Sequence, residues 1–131
     1  MLVGFDITVK EEIGRRNDEF MACFANGDAR GIAELYTEDG QVLPPNMEMM
    51  EGREAVTQLW QGAMDAGVAA VKMEITEVGG DEKIVYEMSR YQMLTADGQV
   101  IDRGKYIVIW KRIGGEWFLY RDIWNSSMPV A

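Results

Sequence analysis

Few side chains in this sequence could carry out acid–base or metal chemistry near neutral pH. The 131 residues include no histidine and one cysteine, Cys23, which leaves out the usual acid–base switch, the commonest metal ligand and any internal disulfide. The sequence has no glycine-rich phosphate loop and no metal-ligand spacing, so we expect no cofactor and no metal. The remaining candidates are carboxyl groups in apolar surroundings. The clearest of these is Asp122, in the segment YRDIW.

A turn at Gly114-Gly115 indicates where Asp122 points. If these glycines form a two-residue hairpin turn, strand pairing places Asp122 opposite Ile107. A similar turn at Asp97-Gly98 adds a third strand to the same face, which we predict to be the inner one. Its members are Tyr86, Met88, Arg90, Gln92, Ile107, Ile109, Tyr120 and Asp122. A one-residue bulge would exchange the two faces beyond it.

Two interpretations of Asp122 are open. In the first, burial among aromatic side chains raises its pKa, and the carboxyl acts as a general acid or base, with Tyr86 as a hydrogen-bond donor. In the second, Asp122 pairs with Arg90 or with a backbone N–H and only stabilises the fold. Because buried ion pairs also perturb pKa values without doing chemistry, the sequence does not decide between them.

The part of the chain before Gly67 is predicted to be mainly helical. Apolar residues recur at helical spacing within 6–26, a shorter helix with Tyr36 on its buried side follows, and a third helix spans 52–65. Between the last two, Val42 and Leu43 form a brief strand, which the two following prolines end because proline has no N–H to donate.

After Gly67 the apolar pattern changes to that of β-strands. Segments rich in Val, Ile, Tyr and Trp span 69–78, 83–95, 99–113 and 116–126, and glycine-containing turns separate them. Helices followed by an antiparallel sheet predict an α+β fold. A chain of 131 residues suits a single domain.

The opposite face of this sheet is also largely apolar. Such an area is rarely left in contact with water by a monomer, so we predict a homodimer through this convex face. The residues assigned to it are Val85, Tyr106, Val108, Trp110, Trp117, Leu119 and Ile123.

Composition excludes several classes of partner. The net charge is -9, and 13 basic residues are dispersed among 22 acidic ones without a basic run, so we expect no nucleic-acid binding. No segment approaches the roughly 18 uninterrupted apolar residues of a membrane span, so no membrane association is expected. The sequence after Met1 has no pattern of an export signal, which favours a cytoplasmic location.

Four stretches occur in an order and spacing that resemble one known superfamily: FANGDARGIAELYTEDGQVLPP, EGREAV, GKYIVIWKR and GGEWFLYRDIW. The chain resembles nuclear transport factor 2-like proteins, in particular their ketosteroid-isomerase-like and SnoaL-like branch. The resemblance covers most of the chain. It implies a single-domain, cone-shaped half-barrel with N-terminal helices packed on a curved antiparallel sheet, a pocket at the wide end and, usually, a dimer.

The resemblance also implies where a ketosteroid isomerase would keep its catalytic groups. The proton-shuttling aspartate would fall near Leu43 or Pro44, the oxyanion tyrosine near Phe20 and the oxyanion acid near Ile107. None of these side chains exchanges a proton, so we expect no isomerase activity by that mechanism. The resemblance to SnoaL-like cyclases, which use a buried aspartate, gives that role to Asp122.

Aromatic and thioether side chains either line a pocket for a flat apolar ligand or simply fill the core. The candidate pocket residues are Phe20, Tyr36, Leu43, Trp60, Met64, Met88, Arg90, Ile107, Tyr120 and Trp124. We therefore expect a protein that binds a small hydrophobic or aromatic molecule. The alternatives are an isomerase, cyclase or dehydratase acting through Asp122, and a dimeric scaffold without a pocket.

Overall fold

The computed structural model describes residues 2–129, with side chains from Thr8 onward. Within this range the helices are α1 (Leu2–Ala25), α2 (Ala29–Ala33) and α3 (Arg53–Asp65). The strands are β1 (Tyr36–Leu43), β2 (Met50–Glu51), β3 (Ala70–Gly80), β4 (Ile84–Leu94), β5 (Val100–Ile113) and β6 (Glu116–Ser126). The described strands form one six-stranded sheet in the order β2-β1-β6-β5-β4-β3. The predicted α+β cone of N-terminal helices on a curved sheet is confirmed.

The long helix α1 lies on the sheet through one buried stripe. Ile13, Phe20 and Phe24 recur at helical spacing and are at most 5% exposed. Asn17 falls in the same stripe and is also buried, which places one amide group among apolar side chains. The next helix begins where the Asp28 carboxylate accepts a 2.9 Å hydrogen bond from the Gly31 N–H, as an N-cap does.

Strand β1 is longer than predicted, and it starts at Tyr36 rather than leaving that residue in the preceding helix. The reason is that β1 pairs with β6 in parallel at Tyr36 and again from Gln41 to Leu43, with an irregular segment between the two. In this pairing Val42 lies beside Asp122. The sheet is therefore mixed rather than wholly antiparallel.

The two faces of the sheet are the reverse of the prediction. Trp110 and Trp117 are 0% and 1% exposed and pack beneath the helices, so they do not form the outer surface. The bulky indole rings fill space inside the cone that smaller side chains would leave empty. With them on the inner face are Val85, Tyr106, Val108 and Leu119. The convex face instead exposes Tyr86, Met88 and Ile107, together with Ile123, which was correctly predicted to lie there.

A bulge in β6 decides the orientation of Asp122. Trp110 pairs with Leu119, but Ile109 pairs with Arg121, so Tyr120 has no partner and the faces exchange beyond it. Asp122 therefore lies opposite Val108 on the inner face, not opposite Ile107 as predicted. The prediction that Asp122 points inward is nevertheless correct. The predicted faces were reversed, and the bulge exchanges the two faces of β6 once more, so the two effects cancel at Asp122.

In the part of the chain that the structure describes, no helix is both long and apolar enough to span a membrane.

Candidate functional site

A small cavity lies between the inner face of the sheet and the helices. Its volume is about 40 Å³, and its walls are mostly aromatic and aliphatic. The lining residues are Asn17, Phe20, Trp60, Val71, Met73, Tyr91, Met93, Tyr106, Val108, Leu119, Asp122 and Trp124. Asp122 is the one carboxyl group among them.

Asp122 is held by a phenol from the neighbouring strand. The Tyr36 hydroxyl donates a 2.5 Å hydrogen bond to Asp122 Oδ2, and both side chains are buried. Burial raises the pKa of Asp122 to about 7 because desolvation disfavours the carboxylate. The Tyr36 bond acts against this rise, and the charge of Glu87 adds to it. Asp122 can therefore exchange a proton near neutral pH.

Tyr36 is a permanent donor in this pair. It is fully buried, and desolvation together with the adjacent Asp122 charge raises its pKa well above the ordinary value. The phenol therefore keeps its proton when Asp122 titrates. The indole N–H of Trp60 lies near enough to Tyr36 to oppose this effect in part, but its geometry falls short of a hydrogen bond.

The aromatic wall next to Asp122 is built from rings on three elements. Trp60 of α3 stacks on Trp124 of β6, with ring centroids 5.3 Å apart and an angle of 20° between the planes. Phe20 of α1 meets Trp60 edge-on at 5.5 Å. These contacts fix a flat apolar surface beside the carboxyl. The unpaired Trp60 N–H is a buried donor that a ligand oxygen could satisfy.

A second buried carboxylate orders the polar side of the cavity. Glu87 is 0% exposed, and its Oε2 accepts hydrogen bonds from Asn17 at 2.9 Å and Tyr106 at 2.6 Å, both of which line the cavity. Ser89 donates to the same oxygen at 2.5 Å, and the Trp110 indole donates to Oε1 at 2.9 Å. Burial and the Glu87 charge raise the pKa of Tyr106, so this phenol stays neutral. These donors satisfy Glu87 without a cation.

The structure brings together part of the predicted site. Phe20, Trp60, Trp124 and Asp122 line the cavity, and Tyr36 contacts it through its bond to Asp122. Leu43 pairs with Ile123 on β6 and Met64 packs at the edge of the core, so neither lines the cavity.

The other predicted site residues lie outside the cavity because the faces are reversed. Tyr86, Met88 and Ile107 are 39–48% exposed on the convex face, and Tyr86 donates its hydroxyl to Glu77 instead of serving Asp122. Tyr120, at the bulge, lies between the side chains of Lys111 and Arg121.

The structure does not contain the pair of Asp122 with Arg90 that one of the two open interpretations included. Arg90 lies on the convex face, 3.4 Å from Glu74, and both side chains are 73% exposed. Asp122 faces the interior on the other side of the sheet. The partner that does hold Asp122 is Tyr36, whose place in a parallel strand could not be seen in a hairpin count.

Sequence reasoning missed Asn17, Glu87 and Tyr106. One of them left a signal, since Asn17 interrupts the apolar stripe of α1 and so had to be a buried polar group with a partner. Glu87 lies two residues after Val85 on β4 and therefore on the same face, so it would have been found once that face was recognised as the inner one. No cluster of three or more metal-ligating side chains occurs among the described residues.

This arrangement of N-terminal helices on a curved sheet is that of a nuclear transport factor 2-like protein. The model of the SnoaL-like domain matches residues 18–120, so the chain belongs to the SnoaL-like domain family. A search of curated proteins gives no match.

Solved structures show the same fold. A protein of unknown function from Mycobacterium tuberculosis is 19% identical, with a TM-score of 0.80 over 98% of this chain and 77% of the other. A ketosteroid isomerase-like protein from Erwinia carotovora atroseptica is 17% identical, with a TM-score of 0.76 over 91% and 96%. An NTF2-like protein with a cystatin-like fold from Novosphingobium aromaticivorans is 17% identical, with a TM-score of 0.75 over 93% and 84%. At such identities the likeness concerns the fold alone.

Proposed function

We propose that this protein binds a small, mostly apolar molecule in the cavity beside Trp60 and Trp124, and that Asp122 recognises one polar group of that molecule. The observation that supports this most is a single carboxyl group, with a pKa of about 7, facing a largely apolar, aromatic cavity. Pockets of this composition, apolar with a few fixed polar groups, are typical of small-molecule sites.

The size of the cavity limits the ligand. At about 40 Å³ it is much smaller than the roughly 300–1,000 Å³ of drug-sized sites. Met73 and Met93 form part of the wall and are only partly buried, and unbranched thioether chains change rotamer readily. A ligand about the size of one aromatic ring therefore enters by displacing these two side chains.

A matched pair of probes tests this proposal. Acetophenone presents a flat ring and one carbonyl acceptor, whereas ethylbenzene has nearly the same shape without the acceptor. Below the pKa of Asp122 the protonated carboxyl can donate to the carbonyl. We expect the NMR signals of the Trp60 and Trp124 indoles to shift with both probes, and acetophenone to bind several-fold more tightly at about pH 6 than at about pH 8.

Two variants serve as a matched comparison for this titration. Val71→Phe puts a ring into the cavity and should abolish the shifts, whereas Met47→Phe changes a side chain that is 53% exposed in a loop and should leave them unchanged. Equal shifts in both variants, or no shift of either indole in the wild type, would overturn the binding proposal.

A second candidate function is an isomerase, cyclase or dehydratase that uses Asp122 as its general acid or base. The bond from the always-protonated Tyr36 to a carboxyl with a pKa of about 7 favours it, since a catalytic base works best near the working pH. The test is exchange of the acetophenone methyl protons in D2O, in which Asp122 would remove the α-proton and return a deuteron from solvent. Exchange faster than buffer that Asp122→Asn abolishes supports this function, and a rate equal to buffer rejects it for carbonyl substrates.

We also propose that the protein forms a homodimer through the convex face of the sheet. The apolar patch on that face differs from the predicted set, because it consists of Ile84, Tyr86, Met88, Ile107 and Ile123, each 39–48% exposed. Contiguous apolar side chains on a sheet face are a common feature of protein interfaces.

A further inference from the structure

The convex face of the sheet has two chemically different halves. Along β4 the apolar Tyr86 and Met88 give way to Arg90, and along β5 Ile107 gives way to Lys105 and then Arg103. With Lys72 of β3, these three basic residues line an open groove of about 500 Å³, here called the basic groove. It lies on the opposite side of the sheet from Asp122.

The pairing of strands sets like charges against each other in this groove. Arg90 lies directly opposite Lys105, an arrangement that destabilises a sheet. Arg103 lies on the same strand as Lys105 and pairs with Gln92 of β4. Lys72 of β3 pairs with the same Gln92 from the opposite edge of β4. Uncharged polar residues would suit these exposed positions equally well. The fold itself therefore does not explain why two basic residues face each other here.

Little negative charge compensates this cluster. Glu74 is the one acidic residue that lines the groove, and it lies 3.4 Å from Arg90. The ammonium of Lys105 contacts Ser127 Oγ at 3.2 Å, and neither Lys72 nor Arg103 forms an ion pair with a described residue. The chain as a whole carries a net charge of -9, so this concentration of positive charge is a local exception.

We propose that the basic groove is a binding site for a small polyanion, a molecule with two or more phosphate or carboxylate groups. The guanidinium groups of Arg90 and Arg103 can each bind one anionic group with two hydrogen bonds, and the lysines add positive charge on either side. The groove has the volume of a small-molecule site, and a bound anion would relieve the repulsion between Arg90 and Lys105. This site is independent of the function proposed for the cavity.

Tripolyphosphate and citrate serve as probes that separate phosphate from carboxylate ligands. Each is titrated into the wild-type protein at low ionic strength, and binding is followed by calorimetry and by the shift of the unfolding midpoint. We expect saturable binding of at least one probe and a midpoint that rises with its concentration.

Two double variants that remove the same charge identify the site. Arg103→Gln with Lys105→Gln removes two groove charges, whereas Lys10→Gln with Arg15→Gln removes two exposed charges from α1. The groove variant should bind the probe at least about tenfold more weakly, and the helix variant within about twofold of wild type. Without the probe, the groove variant should be at least as stable as the wild type, because the like-charge repulsion is gone.

Absence of binding by both probes overturns the proposal. So does an equal loss of affinity in the two double variants, which would show attraction to charge in general. A groove variant that is clearly less stable than wild type before any probe is added would assign these residues to the fold and would also contradict the proposal.

Discussion

Tyr36 and Asp122 are joined by a 2.5 Å hydrogen bond that links the parallel strands β1 and β6 inside the cone. Two opposing effects meet at this bond. Burial raises the pKa of the carboxyl, whereas donation from the phenol stabilises the carboxylate and lowers it. The balance near 7 is what allows Asp122 either to donate to a ligand or to accept from it under ordinary conditions.

Replacing Tyr36 with Phe should raise the pKa of Asp122 further. The variant keeps the ring and removes the donor, so the carboxylate loses the hydrogen bond that offsets its desolvation. At about pH 8, where the wild-type carboxyl is ionised, we expect a loss of about 1–3 kcal/mol in the free energy of unfolding, and a smaller loss at about pH 5. Urea denaturation at the two pH values measures this difference. An equal loss at both would show that the bond is indifferent to ionisation.

The stability of the wild-type protein should depend on pH through Asp122. Its folded pKa, about 7, is higher than the value of 3.8 for an exposed carboxyl, so the folded state binds the proton more tightly. The contribution to stability is complete below about pH 4 and is lost as the pH rises through 7, by about 4 kcal/mol if nothing relaxes. Thermal or urea unfolding between pH 4 and pH 8 measures the slope.

Asp122→Asn is the control for this pH dependence. The amide keeps the shape and can still accept from Tyr36, but it does not ionise. We expect the variant to lose the decline between about pH 4 and 7 and to be the more stable protein at pH 8. A decline of the same size in both proteins would assign the pH dependence to other groups.

Glu87→Gln should destabilise the protein even though the two side chains have the same size. An amide NH2 in place of one carboxylate oxygen faces N–H or O–H donors such as those of Trp110, Asn17 and Tyr106. A buried donor left without an acceptor costs about 1–3 kcal/mol. The matched control is Glu82→Gln at an exposed turn, which should change the free energy of unfolding by less than about 0.5 kcal/mol. Equal effects in urea denaturation would contradict this role of Glu87.

Ile107→Glu should dissociate the proposed homodimer without unfolding the chain. Ile107 is 48% exposed on the convex face, so the charge is tolerated in a monomer but is costly in a dry interface. Trp110→Glu, the substitution that the predicted faces would favour, should instead unfold the protein, since Trp110 is 0% exposed. Light scattering at micromolar concentration gives the mass. A monomeric wild type, or a dimeric Ile107→Glu variant, would contradict the interface.

The sequence predicted the order of elements because local signals determine it. The register of β4 on β5, with Met88 opposite Ile107, followed from the turn at Asp97-Gly98, even though this turn is not a perfect two-residue one. The choice of the inner face did not follow, because both faces of the sheet are rich in apolar residues. Only contact with the helices shows that Trp110 is inside.

Only part of the candidate site could be predicted from the sequence, because the backbone features that assemble it leave no local signal. A bulge at Tyr120 directs Asp122 toward the cavity, and no residue type in that segment indicates a bulge. Its partner Tyr36 is 86 positions away and arrives through a parallel pairing. The basic groove was also invisible, because its residues are spread over three strands and only the register brings Arg90 beside Lys105.

The most direct test of a titratable carboxyl inside an apolar cavity is the pKa of Asp122 itself, measured by ¹³C NMR of the side-chain carboxyl from about pH 4 to pH 9 with Asp122→Asn to assign the signal. The structure predicts a titration near 7. A pKa below about 5, within the ordinary range of exposed carboxyls, would show that Asp122 is hydrated or ion-paired and would contradict the proposed site.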